Sequence, residues 1–265
     1  MTTDDATTER AATAEATTLD RFLGGRLVLE QPARGRHRAG LDAILLAAAV
    51  PSDAAGRLVD FGAGVGTAGL AAAIRADGLE VVLAERDEEA VRLATGNRDR
   101  LPPTVGARVS VVAVDLLSAK PREAALGRES VGHVILNPPF FAPREVRASP
   151  SERRAAAHVL ATGGLDPWIR AAAAALAPSG RLALIFKGDG LAEILAAANG
   201  RFGAVAIRPI HPRADAAAHR LLVTAIKGSR APARILPGLI LHPAGDNGYL
   251  PEADAVLRGE ADLAD

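Results

Sequence analysis

The 265-residue chain has no cysteine, one methionine, one tryptophan and one tyrosine, and aromatic residues make up only 3% of it. Without cysteine there can be no disulfide bond, no thiol catalysis and no cysteine-ligated zinc. The longest apolar runs, residues 43–50 and 171–177, are too short to span a bilayer. The acidic N-terminal segment has no apolar stretch of the kind a secretory signal requires. We therefore expect a cytoplasmic protein without a membrane segment.

Several catalytic motifs are also missing from the sequence. It contains no Walker phosphate loop, no Gly-x-Ser-x-Gly elbow and no His-Glu-x-x-His pair. The six histidines are scattered along the chain rather than spaced as metal ligands. We therefore expect no metal cofactor.

Lysine is scarce, and only three of the 31 basic residues are lysines. The net charge is zero, but residues 1–20 and 252–265 together hold ten of the 31 acids and two of the 31 bases. Residues 21–251 therefore carry eight more bases than acids. Arginine clusters are usually solvated surface, although they are compatible with contacts to an RNA backbone. The candidates for RNA contact are Arg34, Arg36, Arg38, Arg144, Arg147 and Arg213.

From residue 57 onward the apolar pattern alternates between strand and helix. It predicts strands at 57–61, 80–85, 108–114, 133–136 and 181–187, and helices at 66–76, 88–100, 165–176 and 191–198. Such alternation indicates a parallel sheet with helices on both faces. Two further strands, 204–210 and 221–227, are joined by a link too short for a parallel crossover, so we expect them to be antiparallel. Upstream, the sequence predicts a strand at 25–31 and a helix from Gly40 to about Val50.

The segment after the fourth of these strands is unusual. The apolar run 133–136 ends at Asn137, and Pro138, Pro139, Phe140 and Phe141 follow. Each proline fixes its own backbone and removes an amide donor, and it also pushes the preceding residue toward an extended conformation. The pattern predicts a stiff, extended arm that leaves the end of a buried strand.

A stiff arm of this kind can hold a planar amino group and make it nucleophilic. The side-chain oxygen of Asn137 and the carbonyl of Pro138 would each accept one N–H, so that the nitrogen lone pair localises and can attack a methyl group. Phe140 would stack on the flat substrate, a contact worth roughly 1–3 kcal/mol per base. Considered alone, the segment leaves open a simpler structure, a strand that ends in a Pro-Pro turn with two buried phenylalanines.

A second motif joins the first predicted parallel strand to its helix. Residues 58–66 read Leu-Val-Asp-Phe-Gly-Ala-Gly-Val-Gly, and glycines at this point let a ligand approach the backbone. Gly64-x-Gly66-x-x-Gly69 also fits the dinucleotide fingerprint, with Glu85 where a ribose-binding acid would fall. A nicotinamide-dependent oxidoreductase is therefore an alternative.

Four polar residues argue against that alternative when they are taken together. Asp60, Glu85, Asp115 and Asn137 all fall at the carboxyl ends of successive predicted strands. Open α/β sheets bind ligands at this edge. Asp60, directly before the glycines, suits an ammonium group better than a pyrophosphate, and Asp115 could accept a hydrogen bond from an adenine amine.

These motifs together resemble the class I S-adenosylmethionine-dependent methyltransferases that act on amino groups. The resemblance is closer to the bacterial tRNA1(Val) (adenine-37-N6)-methyltransferase family, and it extends over roughly residues 25–258. Further segments that carry it are Gly40–Leu46, Leu165-Asp166-Pro167-Trp168-Ile169, His211–Ala214 and Lys227–Arg230. The resemblance implies an α/β, Rossmann-like fold with a seven-stranded, mostly parallel sheet whose last strand is antiparallel, and helices on both faces.

The resemblance also implies site residues and a division of the chain. S-adenosylmethionine would be bound by Asp42, Asp60, Gly62, Gly64, Gly66, Glu85, Arg86, Asp115, Leu116 and Asn137. The target amine would be held by Asn137, Pro138, Pro139 and Phe140. By the resemblance, residues 19–50 would form a hairpin and helix over the cofactor, 51–230 the methyltransferase domain, and 231–265 an extension packed on or beside the core. Residues 1–18 are rich in threonine, alanine and acids without periodicity, so we expect a disordered acidic tail there.

The implied reaction is methylation of N6 of an adenine in tRNA. Asn-Pro-Pro-Phe also occurs in methyltransferases of DNA adenine, rRNA guanine and release-factor glutamine, so these substrates stay open. The arginine-rich turn and the acidic ends depart from the family pattern, which leaves the exact tRNA undecided. A cofactor-binding module without catalysis is a further alternative, and the sequence leaves the choice between monomer and homodimer open.

Overall fold

The computed structural model describes residues 17–33, 40–138 and 164–264. Eleven strands lie in these ranges: β1 Thr17–Phe22, β2 Leu27–Pro32, β3 Ala55–Phe61, β4 Gly78–Glu85, β5 Val109–Ala113, β6 Val131–Leu136, β7 Leu176–Lys187, β8 Phe202–His211, β9 Arg220–Lys227, β10 Arg234–Ile235 and β11 Leu239–Ile240. The described α-helices are α1 Leu41–Ala48, α2 Thr67–Arg75, α3 Glu88–Asp99, α4 Pro103–Gly106, α5 Ala119–Leu126, α6 Asp166–Ala175, α7 Leu191–Ala198 and α8 Pro251–Leu257.

The central sheet has the strand order β5-β4-β3-β6-β7-β9-β8-β10, and β11 also pairs with β8. Strands β3 to β7 run parallel to one another, whereas β9 is antiparallel to both β7 and β8. The predicted seven-stranded sheet with an antiparallel last strand is therefore confirmed. Two short strands, β10 and β11, also join the sheet, and each pairs parallel to β8.

Some local predictions differ from the structure. Strand β7 begins at Leu176, where a helix was predicted to end, and it includes the stretch before residue 181. The predicted strand 25–31 starts two residues later, because a 3-10 turn occupies Leu23–Gly25. Helices α4 and α5 were not predicted, since α4 has only four residues and α5 has no regular apolar period.

The N-terminal segment forms a hairpin of β1 and β2, which pair antiparallel. Thr17 and Thr18 belong to β1, so the expected disordered tail does not extend to residue 18. The rest of that expected tail, residues 1–16, lies outside the described residues.

Apolar side chains cover both faces of the sheet. One cluster packs α1, α2 and the hairpin against the sheet, and it includes Leu29, Leu46, Leu70 and Leu83. The other packs α6 and α7 against the opposite face. Within the described ranges, no helix is both long and apolar enough to cross a membrane.

Candidate active site at the carboxyl ends of the central strands

The register of the sheet brings the ends of three central strands to one level. Phe61, the last residue of β3, pairs with Ala84 of β4 on one side and with Leu136 of β6 on the other. Glu85 directly follows Ala84, and Asn137 directly follows Leu136. The glycine turn after Phe61 is therefore flanked by the predicted ribose acid and by the predicted amine-binding arm.

The turn itself depends on glycine. Gly62, Gly64 and Gly66 have φ angles of +74°, +55° and +93°, a region that L side chains rarely adopt. The backbone N–H of Gly62 donates to the Ala84 carbonyl at 2.9 Å. A Cβ at Gly66 would lie only 2.8 Å from the Cδ1 atom of Leu83. The turn thus lies tightly on β4, with its backbone at the edge of the sheet.

Glu85 is hydrogen-bonded to backbone amides through both carboxylate oxygens. Its Oε2 accepts the N–H of Gly64 at 2.9 Å. Its Oε1 accepts those of Arg86 at 2.7 Å and Asp87 at 3.0 Å. The carboxylate is therefore held in one orientation at the edge of the glycine turn. The predicted contacts of Glu85 and Arg86 with the cofactor stay predictions.

Asp60 lies beneath the turn. Its side chain is buried, and its Oδ2 accepts the backbone N–H of Gly69 in α2 at 2.8 Å. The pKa of Asp60 is raised to about 7, chiefly by burial; the Gly69 hydrogen bond opposes the rise, and the nearby Glu85 adds to it. The carboxyl group therefore anchors α2 under the turn, while its predicted contact with the methionine part of a cofactor stays a prediction.

Asp115 and Leu116 form a short turn after β5. Asp115 accepts hydrogen bonds from the Ser118 hydroxyl at 2.6 Å and from the Leu117 N–H at 3.1 Å. The guanidinium of Arg122 donates to the carbonyl of Leu116 at 2.8 Å. The peptide unit between residues 116 and 117 is thus fixed at both its carbonyl and its N–H. This turn provides a rigid wall where an adenine was predicted to bind.

Asp42 lies in the first turn of α1 and is paired with a residue that is distant in sequence. The Nε of Arg220, the first residue of β9, donates to its Oδ2 at 2.7 Å. His219 lies beside this pair; burial lowers the pKa of its imidazole, Arg220 lowers it further, and Asp42 opposes the shift. The ion pair links the N-terminal segment to the same edge of the sheet, and a role for Asp42 in cofactor binding stays a prediction.

The predicted amine-binding and RNA-binding residues are only partly described. Asn137 is half-buried and Pro138 is buried at the end of β6. Arg213 donates through Nη2 to the Asp246 carbonyl and to the Asn247 side chain, both at 2.9 Å, and so holds a loop of the C-terminal extension. The remaining predicted residues, Pro139, Phe140, Arg34, Arg36, Arg38, Arg144 and Arg147, lie outside the described residues.

Sequence reasoning missed Asn97, which supports the site from α3. Its side chain is fully buried, and its Nδ2 donates to the carbonyls of Glu30 and Val65, both at 3.0 Å. Its Oδ1 accepts the Glu30 N–H at 2.7 Å. Asn97 therefore ties strand β2 to the glycine turn. The signal in the sequence is weak, since it is only an asparagine inside a predicted helix.

Trp168 was noted in the sequence only as part of the family resemblance, with no role given. The structure places it in the first turn of α6, against Gly62. It is the only tryptophan in the chain, which is the signal that could have singled it out.

A cavity of about 190 Å³ lies elsewhere, at the amino ends of β6 and β7, and its lining includes His133, Arg181 and Thr224. It is at the opposite end of the sheet from the glycine turn. Among the described residues no group of three or more histidines and carboxylates is placed to hold a metal ion.

Comparison with known proteins gives a family match and several relatives. The family model described as "Methyltransferase small domain" matches residues 38–207. A tRNA1(Val) (adenine(37)-N6)-methyltransferase of Porphyromonas gingivalis is 32% identical over 161 residues, covering 59% of this chain and 61% of that protein. A protein of the same name from Shewanella loihica is 30% identical, with 58% and 61% covered. The chain thus spans about 61% of the length of these curated relatives.

Two solved structures were also compared. A predicted O-methyltransferase of Agrobacterium tumefaciens is 39% identical, with a TM-score of 0.71 over 84% of this chain and 99% of the other. The 16S rRNA N2 G1207 methyltransferase of T. thermophilus, solved with AdoMet and guanosine, is 19% identical with a TM-score of 0.53, over 80% and 50%. The second likeness concerns the fold alone.

Proposed function

Because the chain belongs to the methyltransferase small domain family, we propose that it is an enzyme that transfers a methyl group from S-adenosylmethionine to N6 of an adenine in tRNA. One observation carries the proposal: Asn137 and Pro138 leave β6 directly beside the glycine turn at the end of β3. This placement supports the proposal, because methyl transfer to an amine would use two hydrogen-bond acceptors, the Asn137 side-chain oxygen and the Pro138 carbonyl, beside the predicted cofactor turn.

The residues present fit the cofactor. The glycine turn gives a backbone that a ligand can approach, and the acid at its side, Glu85, suits the ribose hydroxyls. The turn at Asp115 and Leu116 suits the adenine. When bound, S-adenosylmethionine supplies an electrophilic methyl group on sulfur.

The role proposed for Asn137 and Pro138 follows from the electronic structure of the methyl acceptor. The exocyclic nitrogen of adenine is a poor nucleophile because its lone pair is delocalised into the ring. The Asn137 side-chain oxygen and the Pro138 carbonyl can each accept one of its two N–H groups and hold it for in-line attack. The methyl group would pass from sulfur to this nitrogen with S-adenosylhomocysteine as the leaving group, and the methylated nitrogen would lose its extra proton to water, so Asn137 and Pro138 would need no general base beside them.

The choice of tRNA as substrate, and of adenine 37 of tRNA1(Val) in particular, rests on the names of the curated relatives. The excess of eight bases over residues 21–251 is compatible with an RNA backbone. An anticodon-loop base is already unpaired and can enter a pocket at little cost. For such an enzyme we propose a cytoplasmic location.

A second candidate is methylation of a hydroxyl group, since the 39% identical Agrobacterium relative is named a predicted O-methyltransferase. Asn137 and Pro138 favour an amine over a hydroxyl, because two acceptors match the two N–H groups of an amine whereas a hydroxyl has one hydrogen. A glutamine side chain also offers a planar NH2 group and is the alternative amine.

The test uses methyl-labelled S-adenosylmethionine with unmodified tRNA and, separately, with a protein extract. Mass analysis of the digested RNA should show the label in N6-methyladenosine. A tRNA1(Val) transcript with guanine at position 37 is the matched substrate control and should stay unlabelled. Label in ribose-methylated nucleosides would support O-methylation, and label only in protein would support glutamine; either result would overturn the proposal.

A further inference from the structure

Arg122 is a buried arginine beside the turn where the adenine of the cofactor is predicted to bind. It lies in α5, and only 6% of its surface is exposed, although arginine is almost never fully buried in folded proteins unless it is paired. Its Nη1 donates to the carbonyl of Leu116 at 2.8 Å. Leu116 is buried as well, so this contact lies within the protein rather than at its surface.

The burial of this cation has an energetic cost. Burial is the chief cause that lowers the pKa of the Arg122 guanidinium; Glu123 raises this pKa, Arg170 lowers it and Asp115 raises it. Moving a charge out of water is costly, and a neutral donor would hold a single carbonyl at a smaller cost. The cation does more than a neutral donor could, because it also attracts the Asp115 carboxylate.

The bond from Arg122 completes a set of contacts that holds the turn on both sides of the Leu116 N–H. Before this N–H, the Asp115 side chain accepts hydrogen bonds from the Ser118 hydroxyl and the Leu117 N–H. After it, the Leu116 carbonyl accepts the bond from Arg122. The direction of the Leu116 N–H is therefore set by neighbouring groups that are themselves held in place.

The turn starts beside the strand that carries the predicted ribose acid. The N–H of Val114 donates to the carbonyl of Glu85 at 2.7 Å. Adenine presents an amine donor next to a ring-nitrogen acceptor. The Asp115 carboxylate is an acceptor and the Leu116 N–H is a donor, so the two groups match the two positions of the base.

We propose that Arg122 is a positioning residue for adenine recognition, which holds the Leu116 carbonyl and lies near Asp115 so that the Leu116 N–H and the Asp115 carboxylate stay directed at the adenine of S-adenosylmethionine. The guanidinium does not touch the cofactor in this role and acts through the turn. The inference rests on the cofactor part of the proposed function and is independent of whether the methyl acceptor is tRNA.

The test compares the binding of S-adenosylhomocysteine and of its deaminated analogue, S-inosylhomocysteine, to the full chain by calorimetry without RNA. In the analogue a carbonyl replaces the amine and the neighbouring ring nitrogen carries a hydrogen, so both predicted contacts are lost. The wild type should prefer S-adenosylhomocysteine by about 10²-fold, roughly ten-fold for each hydrogen bond. Arg122→Met removes the cation and the donor, and it should lower this preference to about ten-fold.

Arg57→Met is the matched control. The Nη1 of Arg57 also donates to a main-chain carbonyl, that of Leu126, at 2.7 Å, but it does so near the amino end of β3. The preference of this variant should equal that of the wild type. Arg122→Lys keeps a cation and a donor and should restore part of the preference. Arg122→Gln, which removes the charge, is the second variant and should lower the preference as Arg122→Met does.

An unchanged ratio of the two dissociation constants in Arg122→Met or Arg122→Gln would overturn the proposal, even if both ligands bind more weakly, because general destabilisation affects them alike. A wild type that does not distinguish the two ligands would overturn it as well. Methyl label found only in protein or in ribose would refute the proposed substrate but would leave this inference standing, since the ratio is measured without a methyl acceptor.

Discussion

The Oε2 atom of Glu85 accepts the backbone N–H of Gly64 at 2.9 Å, although the two residues are 21 positions apart. The other oxygen accepts two amides that follow Glu85 directly. A carboxylate offers about four acceptor positions, so the bonds to described residues leave capacity for a ribose hydroxyl. One acid can therefore both fix the glycine turn and bind the ligand that lies over it.

Replacement of Glu85 by glutamine should weaken cofactor binding by roughly ten-fold or more. The NH2 group of glutamine would take the place of one carboxylate oxygen, and it cannot accept the backbone N–H groups that this oxygen accepts. Calorimetry with S-adenosylhomocysteine measures the change. Glu80→Gln is the matched control, since Glu80 is an exposed residue of the same strand, and it should bind as the wild type does. Equal affinity of Glu85→Gln and the wild type would remove Glu85 from the cofactor site.

Asn137→Ala should reduce methyl transfer by roughly 10²-fold or more, the size found when a positioned polar group is removed from an active site. Of the two roles predicted for this side chain, contact with the cofactor and holding the methyl acceptor, we expect the second to dominate, so cofactor affinity should stay within two-fold. Initial rates and calorimetry separate the two quantities. Asn199→Ala, at the exposed end of α7, is the control. A parallel loss of cofactor affinity in Asn137→Ala would assign Asn137 to the cofactor instead.

Asn97→Ala should lower the free energy of unfolding by about 2 kcal/mol, because it removes the partner of the buried Val65 carbonyl and of the partly buried carbonyl and N–H of Glu30. Urea unfolding measures the loss. Arg98→Ala is the control on the same helix; Arg98 pairs with Asp99 at the surface, so its loss should stay within about 0.5 kcal/mol. If the two variants unfold alike, Asn97 does not tie the turn to β2.

The buried carboxyl of Asp60 should make stability depend on pH. Its pKa is about 7 in the folded protein against an ordinary 3.8, so between these values the folded state holds a proton that the unfolded state has released. Stability from this group is therefore present at low pH and is lost as the pH rises from about 4 to 7, by at most about 1.4 kcal/mol per pH unit.

Asp60→Asn removes this titration while its side-chain oxygen can still accept the Gly69 N–H. The wild type minus variant difference in unfolding free energy should therefore decrease steadily between pH 4 and 7 and be flat above pH 8. Urea unfolding at several pH values measures the difference. A difference that does not change with pH would mean that Asp60 is ionised in the folded protein.

Local motifs were predictable because their causes are local. Glycine at 62, 64 and 66 permits the positive φ angles that the turn needs. The prolines after Asn137 end the strand wherever it lies in the sheet. The sequence did not predict the short helices α4 and α5 or the two-residue strands β10 and β11. Segments of so few residues show no clear hydrophobic periodicity.

The sequence by itself determined an alternating α/β chain, the glycine turn, the Asn-Pro arm and the acids at strand ends. Only the tertiary structure decided which groups meet, because contacts between elements depend on strand order, register and side-chain direction. In the folded protein the Asp60 carboxyl accepts a hydrogen bond from Gly69 beneath the turn, Asn97 donates one to Val65, and Trp168 packs against Gly62. None of these pairs has a spacing that a local pattern could reveal.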